Sequence, residues 1–510
     1  MRRRRPAVRR TAALLLALFA AVPAGAARPK GIPRNNPVAH YGLPWTDTLN
    51  WSNVVNIADM PSDAPSEKLA TAQDKLAETG GIVYFPKGEY SFTDSIKLKT
   101  GVVLRGANPR KRDARNDEYR TEARFEFPRY VPAFEGDGTA NNTAFKGIHL
   151  ENPGTASSCG VVDIGINHGH IEFQEDKDHK AGRNRLVFGC VVRNAAILDS
   201  AVPAKHQHAW QRWTQRHHAA IHVKSGENML IANNRVPPSD ASFEMKGFKM
   251  FVDRKNRKDV IELDVTFDYD LRPGIYANPA SAGGGWGSPR GTPETHPWGF
   301  RKGLVIRDNY IFCTASPGIM FTGDGTIRSF NVIKFKPGVL RHTIGGIHQG
   351  HFTGNIRAIE MRGYRWTVEG NYYEVYRNHG KIGADGEGLM HEAHHNSPVK
   401  NSKLLYNRGN AYLCLWRLPV DGLLIKGNIV SGTGFCGDGI CVLANDKQKK
   451  LPCSNVTVED NIVIGGNIRI DGIGTNNVIR NNRFLSTGHA RKIVNAGNAV
   501  VEGNTGFDQP

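Results

Sequence analysis

The segment from Gly383 to Asn396 is the densest concentration of acid–base side chains in this sequence. It reads Gly-Ala-Asp-Gly-Glu-Gly-Leu-Met-His-Glu-Ala-His-His-Asn. Asp385 and Glu387 are two residues apart, a spacing that puts both side chains on one face of a β-strand. Two carboxylates that close repel each other, so one can hold a proton while the other stays ionised. The pair predicts acid–base work on a glycosidic bond, or a calcium site that neutralises a uronate.

The same segment contains His391-Glu392-x-x-His395. This spacing matches a zinc metalloprotease motif, in which a helix places both imidazoles on one face. Glycines precede the motif here and a Pro-containing turn ends it, so a helix of two turns has little room. We interpret His391, Glu392 and His395 as catalytic residues together with Asp385 and Glu387. The metal requirement stays open, with calcium as one candidate.

Cationic and aromatic residues precede this segment by about one repeat. The candidate substrate-binding residues are Arg357, Arg362, Tyr364 and Arg365, with His348 and His351 one repeat earlier. Stacked repeats bring residues about 20–30 apart in sequence onto neighbouring rungs. These side chains are therefore expected to line one groove with the acidic cluster and to bind substrate carboxylates. A second histidine-rich tract, which receives no role, contains His206, His208, His217, His218 and His222.

Short apolar phrases that end in asparagine predict how these groups are positioned. They end at Asn234, Asn309, Asn371, Asn428, Asn461, Asn482 and Asn504. Each phrase is a β-branched run with period-two alternation, stopped by turn residues that tolerate a left-handed backbone. The last three intervals are 33, 21 and 22 residues. One strand per unit and no helix predict a solenoid.

The chain divides into three predicted regions. Residues 1–26 have the charged start, apolar stretch and Ala-Gly-Ala site of a signal peptide, which a Sec or a twin-arginine exporter would read. Residues 27–58 form an extended lead-in, and residues 59–510 form the solenoid. A long loop insertion is expected at about 237–297, and a charged exposed loop at 110–129.

One amphipathic helix is predicted, from Ser66 to Thr79. Leu69, Ala72 and Leu76 recur at helical spacing, and two glycines stop it. A single helix before a solenoid is expected to cover the open end of the stack.

The formal charge is +18, and removing six signal-peptide arginines leaves 60 basic and 48 acidic residues. A basic exported protein favours acidic polysaccharides, nucleic acids or anionic surfaces as partners. The basic residues are scattered instead of forming one aromatic-interleaved stripe, which disfavours nucleic acid. No apolar run after the signal peptide is long enough to span a membrane, and the oligomeric state stays open.

Seven cysteines leave at least one thiol free. Cys436 and Cys453 flank a Lys-rich loop and are the most plausible disulfide pair. Cys190 and Cys313 are interpreted as small buried residues.

The opening of the solenoid is specific enough to suggest a family. A helix, Gly80-Gly81, a strand, Pro86-Lys87-Gly88-Glu89-Tyr90, two more strands and Arg105-Gly106 follow in order. This order resembles right-handed parallel β-helix proteins of the pectate-lyase-like superfamily, and so do the asparagine-ended phrases. The resemblance implies an all-β, right-handed parallel β-helix with an N-terminal capping helix.

The resemblance is specific for fold and unspecific for substrate. It implies an exported, carbohydrate-active enzyme, and we favour a polysaccharide lyase that cleaves a uronate-containing chain by β-elimination. The alternatives are a glycoside hydrolase that uses the carboxylates and a non-catalytic glycan-binding or surface β-helix. The chain lacks the Gly-His-Gly and Asn-Thr-Asp signatures expected of a polygalacturonase-like hydrolase.

Overall fold

The architecture is taken from a computed structural model of the chain. The described residues are 31–129, 133–134, 140–141, 146–173, 182–195, 219–223, 226–240, 242–251, 260–268, 274–277, 302–313, 318–322, 327–335, 357–362, 364–374, 387–392, 398–416, 418–431, 438–446, 449–485, 491–495 and 498–508. The predicted signal peptide lies outside them.

Three long parallel sheets wind through the chain in turn, and every turn of the chain adds one strand to each. Among the described residues, sheet A has fourteen strands. They are Val54–Asn56, Gly81–Phe85, Val102–Gly106, Cys159–Val162, Arg183–Phe188, Glu227–Ala232, Leu304–Arg307, Ile327–Ser329, Thr367–Glu369, Val399–Leu405, Val420–Lys426, Cys453–Glu459, Asn477–Arg480 and Ala499–Glu502.

Sheet B follows sheet A along each turn and has twelve strands within the described ranges. They are Gly88–Ser91, Ala123–Glu126, Ile164–Asn167, Val191–Arg193, Arg235–Val236, Tyr310–Cys313, Val332–Phe335, Tyr372–Glu374, Arg408–Gly409, Ile429–Ser431, Ile462–Ile464 and Arg483–Leu485.

Sheet C completes the turn, again with twelve strands in the part of the chain that the structure describes. They are Ile96–Leu98, Gly147–Leu150, His170–Phe173, Ile221–Val223, Ile275–Ala277, Ile319–Thr322, Arg357–Arg362, Glu387–Glu392, Tyr412–Trp416, Asp438–Leu443, Asn467–Asp471 and Ile493–Asn495. The repeated order A, B, C with parallel pairing is a right-handed parallel β-helix, which confirms the predicted fold class.

The core runs along the axis between the three sheets. Its members come from alternate strand positions, because successive side chains on a strand point to opposite faces. Ile425, Val430 and Ile440 illustrate one turn, with a core residue from each sheet. Each turn buries its inward face only against its neighbours, so the stack grows in one dimension.

The predicted asparagine phrases fall at the corner between sheets A and B. Each asparagine side chain donates from Nδ2 to Oδ1 of the asparagine one turn further on, at 2.9–3.0 Å. The buried column comprises Asn234, Asn309, Asn331, Asn371, Asn407, Asn428, Asn461 and Asn482, and it ends at the partly exposed Asn504. Asn331 and Asn407 were missed because Phe330 and Tyr406, which are not usual turn residues, precede them.

The left-handed residue is the one before each asparagine, not the asparagine itself. Asp308, Gly370 and Gly427 have φ of 57°, 61° and 65°. This conformation turns the chain sharply and leaves the next side chain pointing into the corner. Hydrogen bonding therefore explains the asparagine at each corner, and the left-handed backbone conformation explains the type of residue before it in these three examples.

The predicted helix is present as Pro65–Lys75, shorter at its C-terminal end than expected. Leu69, Ala72 and Leu76 are buried in the core cluster, as the spacing predicted. Gly80 follows with φ of 63° and lets the chain turn into the first full rung. The capping function of this helix remains a prediction.

The lead-in contains more structure than an extended segment. Three 3₁₀ turns occur, at Ala39–Tyr41, Pro44–Thr48 and Ile57–Asp59. Val54–Asn56 already pairs with sheet A, before residue 59. Buried lead-in residues pack on the outer face of that sheet, among them Val38, Leu49 and Trp51.

The charged segment 110–129 is not the exposed loop that its composition predicted. Ala114 and Tyr119 are fully buried, and Ala123–Glu126 is a strand of sheet B. Arg235 reaches across to donate to the carbonyl of Ala114 at 2.7 Å. The high charge of this segment suggested exposure, but many of its charged side chains form ion pairs with one another or with residues of the β-helix.

Two further features differ from the sequence interpretation. Cys453 is a free buried thiol, so the suggested pair with Cys436 is wrong. Within 237–297, Ile275–Ala277 is a strand of sheet C, and Ser242–Phe251 pairs with Val260–Asp268 in a separate antiparallel hairpin. Other short antiparallel pairs are Ala133–Phe134 with Ala140–Asn141, and Asn445–Asp446 with Lys449–Lys450.

Candidate functional site on the outer face of sheet C

Sheet C carries titratable side chains on its outer face, the face turned away from the core. In the strand Gly147–Leu150, Ile148 and Leu150 lie in the core cluster. His149, between them, therefore points outward, because strand side chains alternate. The same alternation operates in the following strands.

One outer column of this sheet is made almost entirely of groups that can do chemistry. The parallel register pairs His149 with Glu172, Glu172 with His222, and His222 with Tyr276. Neighbouring strands are about 4.8 Å apart, so side chains in one column touch. The four residues are exposed by only 8%, 3%, 1% and 5%. The outer face is covered at this point, and its polar side chains pack against each other.

His170 joins this column from the neighbouring position on the strand of Glu172. Its Nε2 lies 3.1 Å from Nε2 of His149 and 3.2 Å from Oε2 of Glu172. Nε2 of His149 is 4.0 Å from the same carboxylate oxygen. Nδ1 of His222 is 3.8 Å from the other oxygen, Oε1. Three imidazoles thus surround one buried carboxylate.

Gly147 explains how the strands fit so closely here. It pairs with His170, and a Cβ at this position would lie 2.2 Å from the backbone oxygen of His170. Only glycine allows this approach. The glycine therefore leaves room for the strand of His149 to lie directly against that of His170 and Glu172.

The ligand atoms of His149, His170 and Glu172 all lie within 4.8 Å of one another. Among the described residues this is the one group of three or more histidine, cysteine or acidic side chains arranged in that way. Two imidazole nitrogens and one carboxylate oxygen form a ligand set that suits zinc-like divalent metals. The arrangement is chemically able to hold such an ion or to share a proton.

Tyr276 packs within this cluster. Its ring stands edge-on to the imidazole of His222, with centroids 5.3 Å apart, and it also contacts Ala219. At 5% exposure it anchors the chain rather than offering a surface to a sugar ring.

The predicted catalytic segment supplies the strand Glu387–Glu392, for which the structure describes the backbone. This strand lies between Arg357–Arg362 and Tyr412–Trp416 in sheet C. Arg357 pairs with Glu387, and Glu387 pairs with Tyr412. The strand with Arg357 and Arg362 is therefore the direct neighbour of the strand with Glu387, His391 and Glu392.

The register separates the predicted catalytic residues of this strand into two columns. His391 pairs with Met361 on one side and Leu415 on the other, and both of these are core residues. Glu392 pairs with Trp416, which packs with the outer cluster around Tyr412. Glu387 pairs with Tyr412 of the same outer cluster, with a register shift between Glu387 and Leu389, whereas His391 pairs with core residues on both sides.

The predicted substrate-binding residues divide as well. Arg357 and Arg362 are on the sheet C strand, and Arg362 pairs with Thr322. Tyr364 and Arg365 follow, at the corner that leads to sheet A. Tyr364 is 2% exposed beneath Lys400, whose Nζ is 5.4 Å from the ring centroid. Arg365 is exposed, with φ of 51°.

Several predicted residues lie outside the described part of the chain. They are Asp385, His395, His348 and His351, together with His206, His208, His217 and His218 of the histidine-rich tract. The carboxylate pair of Asp385 and Glu387, and the calcium site it suggested, therefore remain predictions.

On the strands of sheet C that follow Glu387–Glu392, the outer face carries an apolar patch with charged residues at its edge. Tyr412, Cys414, Cys441 and Leu443 are buried together, and the half-buried Trp416 packs against them. On the next strands Nε of Arg469 donates to the buried carboxylate of Asp438 at 2.9 Å. Of this apolar cluster, Trp416 keeps part of its side chain exposed.

His149, His170 and Glu172 were missed as site residues, and His222 was noticed without a role. The available signal was His170-x-Glu172, a same-face spacing on a strand, with His149 one rung, or 23 residues, before Glu172. His222 lies 50 residues after Glu172. An irregular interval of that length hides the pairing from any periodicity argument.

Comparison with solved structures yields distant likenesses. An alpha-1,3-glucanase catalytic unit from Streptomyces thermodiastaticus is 13% identical, with 90% of this chain and 69% of that chain covered and a TM-score of 0.47. The surface adhesin PfbA of Streptococcus pneumoniae is 12% identical, with coverage of 85% and 90% and a TM-score of 0.43. The A-module of a mannuronan C-5 epimerase from Azotobacter vinelandii is 11% identical, with coverage of 88% and 100% and a TM-score of 0.42.

No family model and no curated protein matches the chain. The resemblance to parallel β-helix proteins is confirmed at the level of fold by the three-sheet topology itself. None of the helices among the described residues has the length and apolar character of a membrane span.

Proposed function

We propose that the protein is a carbohydrate-active enzyme that cleaves an acidic polysaccharide by β-elimination on the outer face of sheet C. The pairing of Arg357 with Glu387 carries the proposal, because it brings a cationic and an acidic position onto adjacent strands. On the other side of its strand, Glu387 pairs with Tyr412, which belongs to the cluster on the outer face of sheet C.

β-Elimination at a uronic acid removes the proton on the carbon next to the carboxylate. The reaction needs a cation or hydrogen-bond donor on that carboxylate and a base for the proton. Arg357 and Arg362 would hold the substrate carboxylates, since guanidinium binds carboxylate with two parallel hydrogen bonds. Glu387 and Glu392 would carry the acid–base work. We assign His391 a smaller role in catalysis, because it pairs with core residues on both neighbouring strands.

Two other features support an acidic glycan as the substrate. Trp416 is half-buried beside Tyr412 and would offer an aromatic surface on which a sugar ring can stack. The excess of 60 basic over 48 acidic residues that remains without the six arginines of residues 1–26 favours approach of a polyanion. Export, expected from residues 1–26, would place the enzyme where such polymers occur.

The test is incubation of the purified protein with pectate, alginate, glycosaminoglycan and ulvan-type chains. A lyase produces ultraviolet absorbance from an unsaturated uronate together with new reducing ends. Reducing ends without absorbance identify a hydrolase, and retained binding without either identifies a glycan-binding protein. Both results would replace the proposed activity.

Glu387→Gln and Arg357→Gln test the site. Each is expected to reduce kcat/KM by about 10²–10⁴-fold, the contribution typical of a positioned acid–base group. Glu369→Gln is the matched control, because Glu369 lies on sheet A of the same turn. Unchanged activity in Glu387→Gln, with the control also active, would remove the site from this face.

A further inference from the structure

The cluster of His149, His170 and Glu172 lies away from the proposed substrate site. Four strand spacings separate the strand of Glu172 from Arg357–Arg362 in sheet C, about 19 Å at 4.8 Å per strand. Its chemistry therefore requires its own explanation. The three residues come from two adjacent strands, and glycine at position 147 permits the close approach of those strands.

The three ligand atoms are spaced like the ligands of one metal ion. Nε2 of His149, Nε2 of His170 and Oε2 of Glu172 are separated by 3.1, 3.2 and 4.0 Å. A circle through three points at those distances has a radius of about 2.0 Å, the length of a zinc–nitrogen or zinc–oxygen bond. A single point near the plane of the three atoms thus lies at bonding distance from all of them.

Hydrogen bonding alone accounts less well for these contacts. Nε2 of His170 takes part in both short contacts, yet an imidazole nitrogen carries at most one hydrogen. One proton would have to serve the other imidazole and the carboxylate at once. A cation at the common point interacts favourably with two nitrogen lone pairs and a carboxylate simultaneously.

Burial strengthens the case for a cation. Glu172 is 3% exposed, and a cation bound to its carboxylate would offset part of the cost of burying that charge. His149 and His170, at 8% and 0%, are equally withdrawn from water. We propose that His149, His170 and Glu172 bind one divalent transition-metal ion of the zinc class. His222 lies on the far side of Glu172, with Nδ1 3.8 Å from Oε1.

Metal binding to the intact chain tests this assignment. The protein is stripped with a chelator and titrated with Co²⁺, whose visible absorption reports low-symmetry nitrogen and oxygen coordination, and then with Zn²⁺ in competition. One equivalent is expected to bind. Thermal unfolding should shift upward with Zn²⁺ and not with Ca²⁺, because two imidazole ligands select against hard cations.

Glu172→Gln and His149→Gln keep the size of the side chains and remove a ligand. Each is expected to weaken binding by more than about 100-fold, since loss of even an outer-shell partner costs about 10–100-fold. His40→Gln, at an exposed histidine, is the matched control and should bind as the wild type does. A second control replaces His206, His208, His217 and His218 by Gln, and it should also retain the ion.

Two results would overturn the assignment. Undiminished binding in a folded Glu172→Gln protein, or loss of the ion in the second control, would locate the metal elsewhere. If Glu172→Gln does not fold, the wild-type titration decides: absence of a one-equivalent Co²⁺ spectrum would leave the cluster as a hydrogen-bonded core. Polysaccharide cleavage is measured separately, so neither outcome depends on the proposed enzyme activity.

Discussion

Asn407 and Asn428 form a repeating unit of hydrogen bonds at the corner between sheets A and B. The Nδ2 group and the backbone amide of Asn407 both donate to Oδ1 of Asn428, each at 2.9 Å. Nδ2 also donates to the carbonyl of Val368, at 3.0 Å. The side chain therefore satisfies backbone groups on two turns, and both asparagines are fully buried.

Replacing Asn407 by Ala should destabilise the solenoid. The change leaves buried donors and acceptors on the neighbouring turns without a partner, which costs about 1–3 kcal/mol for each such group. Lys403→Ala, four residues earlier at an exposed position of sheet A, should change the free energy of unfolding by less than about 0.5 kcal/mol. Urea denaturation measures both. Equal stability of the two variants would contradict the structural role of the column.

Gly409→Ala should be strongly destabilising. The added Cβ would lie 2.0 Å from the ring of Tyr373, which is fully buried and donates its hydroxyl to Ala411. Overpacking of this kind typically costs about 1–3 kcal/mol and sometimes more. Gly88→Ala is the matched control, because the nearest atom to its Cβ would be 3.7 Å away. Thermal unfolding measures the stability of both variants. A Gly409→Ala protein as stable as the control would contradict the close packing of Tyr373 on Gly409.

Arg235→Met should loosen the segment 110–122 from the body of the helix. Arg235 is 4% exposed, donates to the carbonyl of Ala114 and lies 4.1 Å over the ring of Tyr310. Loss of hydrogen bonds from a charged group costs about 1.5–3 kcal/mol, and methionine keeps most of the packing. Limited proteolysis should cut this segment faster.

Arg408→Met provides the comparison, because Arg408 lies in the same column of sheet B and is exposed. Its unfolding free energy and its cleavage pattern should match those of the wild type. Equal proteolysis of the two variants would show that Arg235 does not anchor the segment.

The buried thiols predict a dependence of stability on alkaline pH. Burial raises the pKa of Cys190 from 9.0 to about 12 and, together with the nearby charge of Asp471, raises that of Cys453 to about 12 as well. A raised folded-state pKa means that the stability contribution is complete below pH 9 and is lost as the pH rises towards 12. The difference in unfolding free energy between wild type and Cys190→Ala should therefore shrink across that window. A constant difference would show that this thiol ionises equally in both states.

The same burial predicts that these thiols are unreactive in the native protein. Thiol reagents attack the thiolate, and both accessibility and ionisation are suppressed here. Titration with a chromogenic disulfide should detect neither Cys190 nor Cys453 before denaturation. Rapid native-state labelling of Cys453 would contradict its position in the core.

The repeating phrases were readable in the sequence because they are local. A β-branched run followed by Asp308 or Gly427 and an asparagine specifies a strand, a left-handed residue and a buried amide within six residues. Asn331 and Asn407 escaped because Phe330 and Tyr406 adopt the left-handed conformation, with φ of 55° and 54°, without being typical turn residues. The ring of Tyr406 lies over Gly427 of the next turn, where a Cβ would be 2.4 Å from it. That compensating contact is visible only in three dimensions.

The sequence alone determined a stack of strands with an asparagine corner, because strand alternation and turn chemistry act over a few residues. The tertiary structure decided which side chains meet. Successive asparagines of the column are between 21 and 75 residues apart, so the length of a turn cannot be read from a period. Only the backbone register places Glu172 beside His149 and His222, and Glu387 beside Arg357. The grouping of distant residues on sheet C is set by hydrogen bonds between turns, which no local pattern encodes.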